Sequence, residues 1–117
     1  MKGSRKEDHR PWGYYEVLLD EDHCKVKRIV VLPGKRLSLQ RHLYRAEHWY
    51  VLSGSAIVRS GDIQSILESG ESIDIPKQAL HRLQNPGEDE LIIVEVQTGQ
   101  YCGEDDIERL DDDYGRT

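Results

Sequence analysis

The 117-residue chain has no apolar run long enough to cross a bilayer, and its start, MKGSRKEDHR, has no hydrophobic stretch of the kind that directs export. A cytoplasmic protein with no membrane partner is expected. A basic surplus is missing too. Lys and Arg number 16 against 22 Asp and Glu, a net charge of -6, and a phosphate backbone needs a dense basic surface, so nucleic acid is not the expected partner. The charge is local: the first ten residues lean basic, while GEDDIERLDDD at 103–113 is acidic, which leaves an anionic small molecule open. Cysteine is scarce: Cys24 and Cys102 lie far apart, form no close metal-binding pair and are expected to be ordinary reduced thiols. Helical periodicity is nearly absent, with one short helical turn expected around Asp105 to Arg109, where acidic residues suit a helix N-terminus. No repeat, low-complexity tract or linker divides the chain. One domain over residues 10–117 is expected, preceded by a mobile segment over 1–9.

What the chain does contain is a series of short apolar runs between turn signals. KVKRIVVL ends at Pro33-Gly34, HWYVL at Ser53-Gly54, SAIVR at Ser60-Gly61-Asp62, IQSIL at Ser69-Gly70 and ESIDI at Pro76. RLSLQRH, HRLQN before Pro86-Gly87, and ELIIVEVQ complete the set. Strands at this spacing predict an all-β sandwich or barrel. Ser72 to Ile75 alternates like a half-exposed strand, whereas Leu91 to Val96 is apolar at nearly every position, as in a strand covered on both faces or lying at a subunit contact.

The chemistry concentrates in QRHLYRAEHW at 40–49. On a strand, Gln40 and His42 point the same way. After a turn at Leu43 to Ala46, antiparallel pairing of the flanking strands would bring Glu47 across from His42. A fourth group must come from elsewhere, and His81 is the natural candidate. This mixed nitrogen and oxygen set suits zinc or another first-row divalent ion (manganese, cobalt, nickel or iron), and the lack of cysteine ligands argues against a purely structural zinc. Solvated surface His/Glu pairs are the competing explanation for so short a pattern.

A longer pattern runs through the chain. Gly34, Gln40, His42, Glu47 and Gly54, with five, one, four and six residues between them, are similar to the first cupin motif, with Gln40 where many cupins have histidine. Gly70, Pro76, His81 and Asn85 resemble the second, with Gln78 in place of its usual glycine. The resemblance implies a single cupin jelly-roll barrel. RPWG at 10–13, KVKRIVVLPGKRLSLQ at 25–40, RAEHW at 45–49, EVQTG at 95–99 and GEDDIERLDDDYGR at 103–116 narrow it. They resemble the C-terminal cupin domain of type II mannose-6-phosphate isomerases, which in many bacteria is fused to a mannose-1-phosphate guanylyltransferase domain. No guanylyltransferase activity is expected of residues 1–117. Carried over, the family's metal site falls on Gln40, His42, Glu47 and His81. Tyr44 stands where the family usually has histidine, near the expected mouth of the site, and bears on substrate fit.

The resemblance implies interconversion of mannose 6-phosphate and fructose 6-phosphate, which moves a hydrogen between C2 and C1 through an enediolate. Glu95, ending an apolar strand where burial would raise its pKa, is a candidate proton carrier, with Asp105 or Asp106 as alternatives. Arg45, Arg82 and Lys27 are candidates for phosphate contact. Arg109 resembles a catalytic arginine of the related type I class. Trp12 and Trp49 could wall a sugar pocket or serve the core, and His48 should face away from the site. Two other functions stand beside the isomerase: a metal-containing sugar or sugar-phosphate sensor, and, less favoured, an oxygen-activating cupin. A homodimer is the expected assembly.

Overall fold

The computed structural model describes residues 6–117. Its strands are β1 (Glu7–Arg10), β2 (Gly13–Asp20), β3 (Cys24–Val31), β4 (Leu39–Arg41), β5 (Arg45–Ser53), β6 (Ala56–Ser60), β7 (Ile63–Leu67), β8 (Ser72–Ile75), β9 (His81–Gln84), β10 (Leu91–Gly99) and β11 (Glu108–Asp111). They form two antiparallel sheets, ordered β1-β2-β3-β10-β5-β8 and β11-β4-β9-β6-β7. Side chains from both inner faces meet in one core. Ile29, Val31, Trp49, Val51, Leu91 and Ile93 come from the larger sheet, and Ala56, Val58, Leu67 and Leu83 from the smaller. This is the all-β jelly roll that the strand spacing predicts. No helix among the described residues is long and apolar enough to cross a membrane.

Several expectations need correction. The segment 1–9 divides: residues 7–9 belong to β1, where His9 lies opposite Tyr14, and residues 1–5 lie outside the described residues. The helical turn expected near Asp105 is instead a turn followed by β11, because the backbone of 108–111 finds ladder partners in β4, with Glu108 opposite Arg41 and Arg109 opposite Gln40. β4 and β5 do not pair. They lie in different sheets, and residues 42–44 carry the chain from one to the other, so His42 and Glu47 meet across the barrel interior. β10 lies between β3 and β5; Leu91 and Ile93 are buried on its inner side, while Ile92, Val94 and Val96 on the outer side are half-buried.

Two backbone positions hold the site end of the barrel together. Gly99 passes so close to the crossover that a Cβ there would sit 2.1 Å from the Tyr44 carbonyl oxygen, so no side chain is admitted. Gln78 has φ of 68°, the left-handed region that favours glycine, and its N–H donates to the His42 carbonyl at 2.8 Å.

Candidate metal centre

Three buried side chains, His42, Glu47 and His81, bring one ligand atom each to within 4.8 Å of one another. Strand alternation turns Glu47 inward from β5 and His81 inward from β9, and the crossover delivers His42 between them. Each imidazole is oriented from behind. His42 Nδ1 donates to the Asp106 carbonyl at 2.7 Å and His81 Nδ1 to the Ala79 carbonyl at 3.0 Å, so each ring turns its Nε2 into the site. His42 Nε2 lies 3.1 Å from Glu47 Oε2, and His81 Nε2 lies 3.8 Å from Glu47 Oε1. Among the described residues, His81 Nε2 is buried without a hydrogen-bond partner. Two imidazole nitrogens and a carboxylate that converge in a buried site are a donor set that suits a divalent metal. Gln40 sits opposite His81 in the β4–β9 pair and lines a cavity with His42 and Glu47.

Electrostatics divide two buried carboxyls. Burial alone would push Glu47 up, but the hydrogen bond and charge of His42, the charge of His81 and a hydrogen bond with Glu95 outweigh it and hold the group well below the ordinary carboxylate range. Burial, reinforced by the charge on Glu47, pushes Glu95 up to about 8. The indole N–H of Trp49 donates to both, at 3.0 Å to Glu47 Oε1 and 3.0 Å to Glu95 Oε1, and Gln97 Nε2 donates to Glu95 Oε2 at 2.7 Å. Trp49 thus belongs to the core and ties the two carboxyls together. Burial lowers His81, with Glu47 opposing that shift.

Cations line the rest of the cavity, whose volume is about 120 Å³. Arg45 is buried; its Nε donates to Glu47 Oε2 at 2.9 Å and its Nη2 lies 3.2 Å from His42 Nε2. Lys27 places Nζ 4.0 Å from the centre of the Tyr15 ring and 2.8 Å from Glu104 Oε1. Arg109 lines the wall with a buried Nε that has no partner. Trp12 contributes to this wall and to the core.

Four expected residues fall elsewhere. Arg82 follows inward-facing His81 and so points out of the barrel, donating to the Leu37 carbonyl at 2.9 Å and to Asp111 Oδ2 at 3.2 Å. Tyr44 lines a separate surface cavity with Tyr101 and Asp105. Asp105 accepts a hydrogen bond from the Tyr101 hydroxyl there. The Asp106 carboxylate accepts from the Leu43 and Tyr44 amides at 2.9 and 3.0 Å, which makes it a brace for the crossover. His48 faces outward, as expected, paired with Asp74. Sequence reasoning missed Arg10, Tyr15, Glu104 and Arg116, all of which line the cavity. Only Tyr15 carried a usable signal, since it shares the inward parity of Gly13 on β2.

The chain is 53% identical over 111 residues to the alginate biosynthesis protein AlgA of Pseudomonas aeruginosa, covering 95% of this chain and 23% of that protein. It is 49% identical over 112 residues to a mannose-1-phosphate guanylyltransferase of Escherichia coli K12, again covering 95% of this chain and 23% of the relative. The chain therefore spans less than a quarter of the length of these curated relatives. A solved double-stranded β-helix protein from Klebsiella pneumoniae superposes with a TM-score of 0.72 at 20% identity, over 95% of this chain and 88% of that one, a likeness of fold alone. The family described as "Mannose-6-phosphate isomerase C-terminal" matches residues 2–112, and the chain belongs to that family.

Proposed function

We propose that this chain is a metal-dependent aldose-ketose isomerase that interconverts mannose 6-phosphate and fructose 6-phosphate. The observation that carries the reading is the buried cluster of His42, Glu47 and His81 beside a cavity lined by His42, Glu47 and a second buried carboxyl, Glu95, whose pKa is pushed up to about 8. His42, Glu47 and His81 would hold the ion, with Gln40 as the fourth donor; zinc suits them best, and other first-row divalent ions are compatible. A bound divalent ion supplies stabilisation for the negative charge that develops on the sugar oxygens during proton transfer.

The chain's own residues supply the rest. Glu95 takes the proton from C2 and returns it to C1 while the hydroxyl proton passes from O2 to O1, the reverse reaction running the same path, and a carboxyl that titrates near neutral pH is suited to both directions. Gln97 and Trp49 fix its two oxygens from opposite sides. The barrel walls exclude water from a proton held between transfers. Arg10, Lys27, Arg45, Arg109 and Arg116 give the cavity the positive character that a dianionic sugar phosphate requires.

The reaction is tested by proton NMR of mannose 6-phosphate in D2O with the metal-loaded and the chelated protein. Formation of fructose 6-phosphate and loss of the C2 proton signal, both only with metal, are expected. Binding with neither conversion nor exchange would replace the isomerase by a sugar-phosphate sensor, and product that requires oxygen would indicate an oxygen-activating cupin.

A further inference from the structure

Two buried ammonium groups share one carboxylate: Lys27 lines the cavity together with Glu104, and Lys25 lines a separate surface hollow with Cys102 and Gly103. Lys25 and Lys27 both point inward from β3 and are 7% and 5% exposed. Glu104 bridges them, Oε2 accepting from Lys25 Nζ at 3.1 Å and Oε1 from Lys27 Nζ at 2.8 Å. Among the described residues Glu104 is the one carboxylate hydrogen-bonded to these ammonium groups, and Glu95, opposite Lys27 across β3 and β10, is pushed toward its neutral form, so two cations lean on one anion where unpaired charge is costly. The Glu104 side chain is 48% exposed and sits on a turn closed by the Asp106 N–H and the Gly103 carbonyl at 3.2 Å. Of the three groups, it alone has room to leave.

Resting on the sugar-phosphate reading above, we propose that Lys25 and Lys27 form the phosphate subsite and that Glu104 is its resident stand-in, displaced when a phosphorylated sugar enters. A carboxylate that gives one oxygen to each ammonium occupies them as two oxygens of a phosphate would, and a dianion neutralises both where Glu104 neutralises one. Cavity size points the same way. With Glu104 in place the cavity holds about 120 Å³, against several hundred for cavities that enclose small ligands. Lys27 and Glu104 line this cavity, so withdrawing the carboxylate enlarges it beside the metal cluster.

The anchors on either side stay in place during this exchange. Arg45 Nη1 donates to the Gly103 carbonyl at 3.3 Å, and Asp106 is tied to His42 and to the Leu43 and Tyr44 amides. Movement is thereby confined to the Glu104 side chain, and the imidazole of His42 keeps its orientation. A neutral sugar brings nothing that competes with the carboxylate, so the exchange discriminates in favour of phosphorylated ligands.

The test is calorimetric titration of the metal-loaded protein with inorganic phosphate, mannose 6-phosphate and mannose. A stand-in that occupies the subsite nine-tenths of the time weakens apparent affinity about tenfold. Glu104→Gln is therefore expected to bind inorganic phosphate about tenfold more tightly than the unaltered protein, with no change for mannose. Unchanged or weaker phosphate binding would make Glu104 a permanent counter-ion and overturn the proposal. Should Glu104→Gln fail to fold, amide spectra of the unaltered protein decide. Resonances of 103–105 are expected to shift with phosphate and not with mannose, and no shift with phosphate overturns the idea. Tighter phosphate binding by Glu104→Gln without any isomerisation would sink the isomerase reading and leave the subsite intact. Isomerisation with no effect of Glu104→Gln would do the reverse.

Discussion

The barrel interior has two unlike ends built from the same strands. β3 points Lys25 and Lys27 inward and then Ile29 and Val31; β5 points Arg45 and Glu47 and then Trp49 and Val51. β10 runs the other way, Leu91 and Ile93 first and Glu95 and Gln97 after them, and β9 places His81 before Leu83. Every one of these side chains is buried. Alternation along a strand decides only which side chains face in. Composition along that inner face then separates a closely packed apolar end, which stabilises the fold, from a polar end whose desolvation costs stability and whose charges are poised for chemistry.

The largest expected effect is on chemistry at the polar end. Glu95→Gln keeps the shape and removes the proton carrier, so kcat should fall about 10² to 10⁴-fold while the metal content, read by elemental analysis, stays at the unaltered level. Loss of metal together with turnover would mean that Glu95 supports the ligands instead.

Next comes the apolar end. Leu83→Ala should cost about 2 to 5 kcal/mol in urea unfolding, with metal affinity per folded molecule unchanged. A drop in affinity as large as the drop in stability would show that the two ends are not separable.

A smaller effect is expected from pH. Glu95 titrates at about 8 in the fold, above its ordinary 4.5, so the folded state holds this proton more tightly than the unfolded chain does. Its contribution is complete below pH 4.5 and is lost as the pH rises through about 8, on the order of a few kcal/mol in all. In chelated protein, urea midpoints should therefore fall more steeply between pH 5 and 9 for the unaltered chain than for Glu95→Gln. Parallel curves would contradict the raised pKa.

The smallest effect concerns the backbone beneath the site. Gln78 adopts φ of 68°, and Gln78→Gly should gain about 0.5 kcal/mol, the relief of the left-handed residue outweighing the added freedom of the unfolded chain. A loss of stability would indicate that the glutamine side chain is needed there.

Much of this division was legible in the sequence, for reasons particular residues make plain. Runs such as KVKRIVVL and ELIIVEVQ announced β3 and β10 because their β-branched residues are dense. β2 was silent because a bulge between Val17 and Leu19 interrupts its alternation. β11 was misread because ERLD is polar and lies at a sheet edge, so its acidic surroundings suggested a helix start. The spacing of His42, Glu47 and His81 pointed to three groups that the fold brings together, but not that His42 and Glu47 approach from opposite sheets. Arg82 was expected in the site because it neighbours His81 in sequence, although alternation sends such neighbours to opposite faces. Glu104 and Arg116 lie in the acidic C-terminal stretch, where nothing local distinguishes a cavity wall from a solvated surface.

The central claim, that the polar end is a metal centre built on Glu47 and its two histidines, is tested most directly by calorimetric titration of the chelated protein with zinc, alongside Glu47→Gln and Arg82→Ala. One ion per chain is expected for the unaltered protein and for Arg82→Ala, whose side chain lies outside the barrel, with binding lost in Glu47→Gln. Zinc bound equally by all three, or by none, would contradict it.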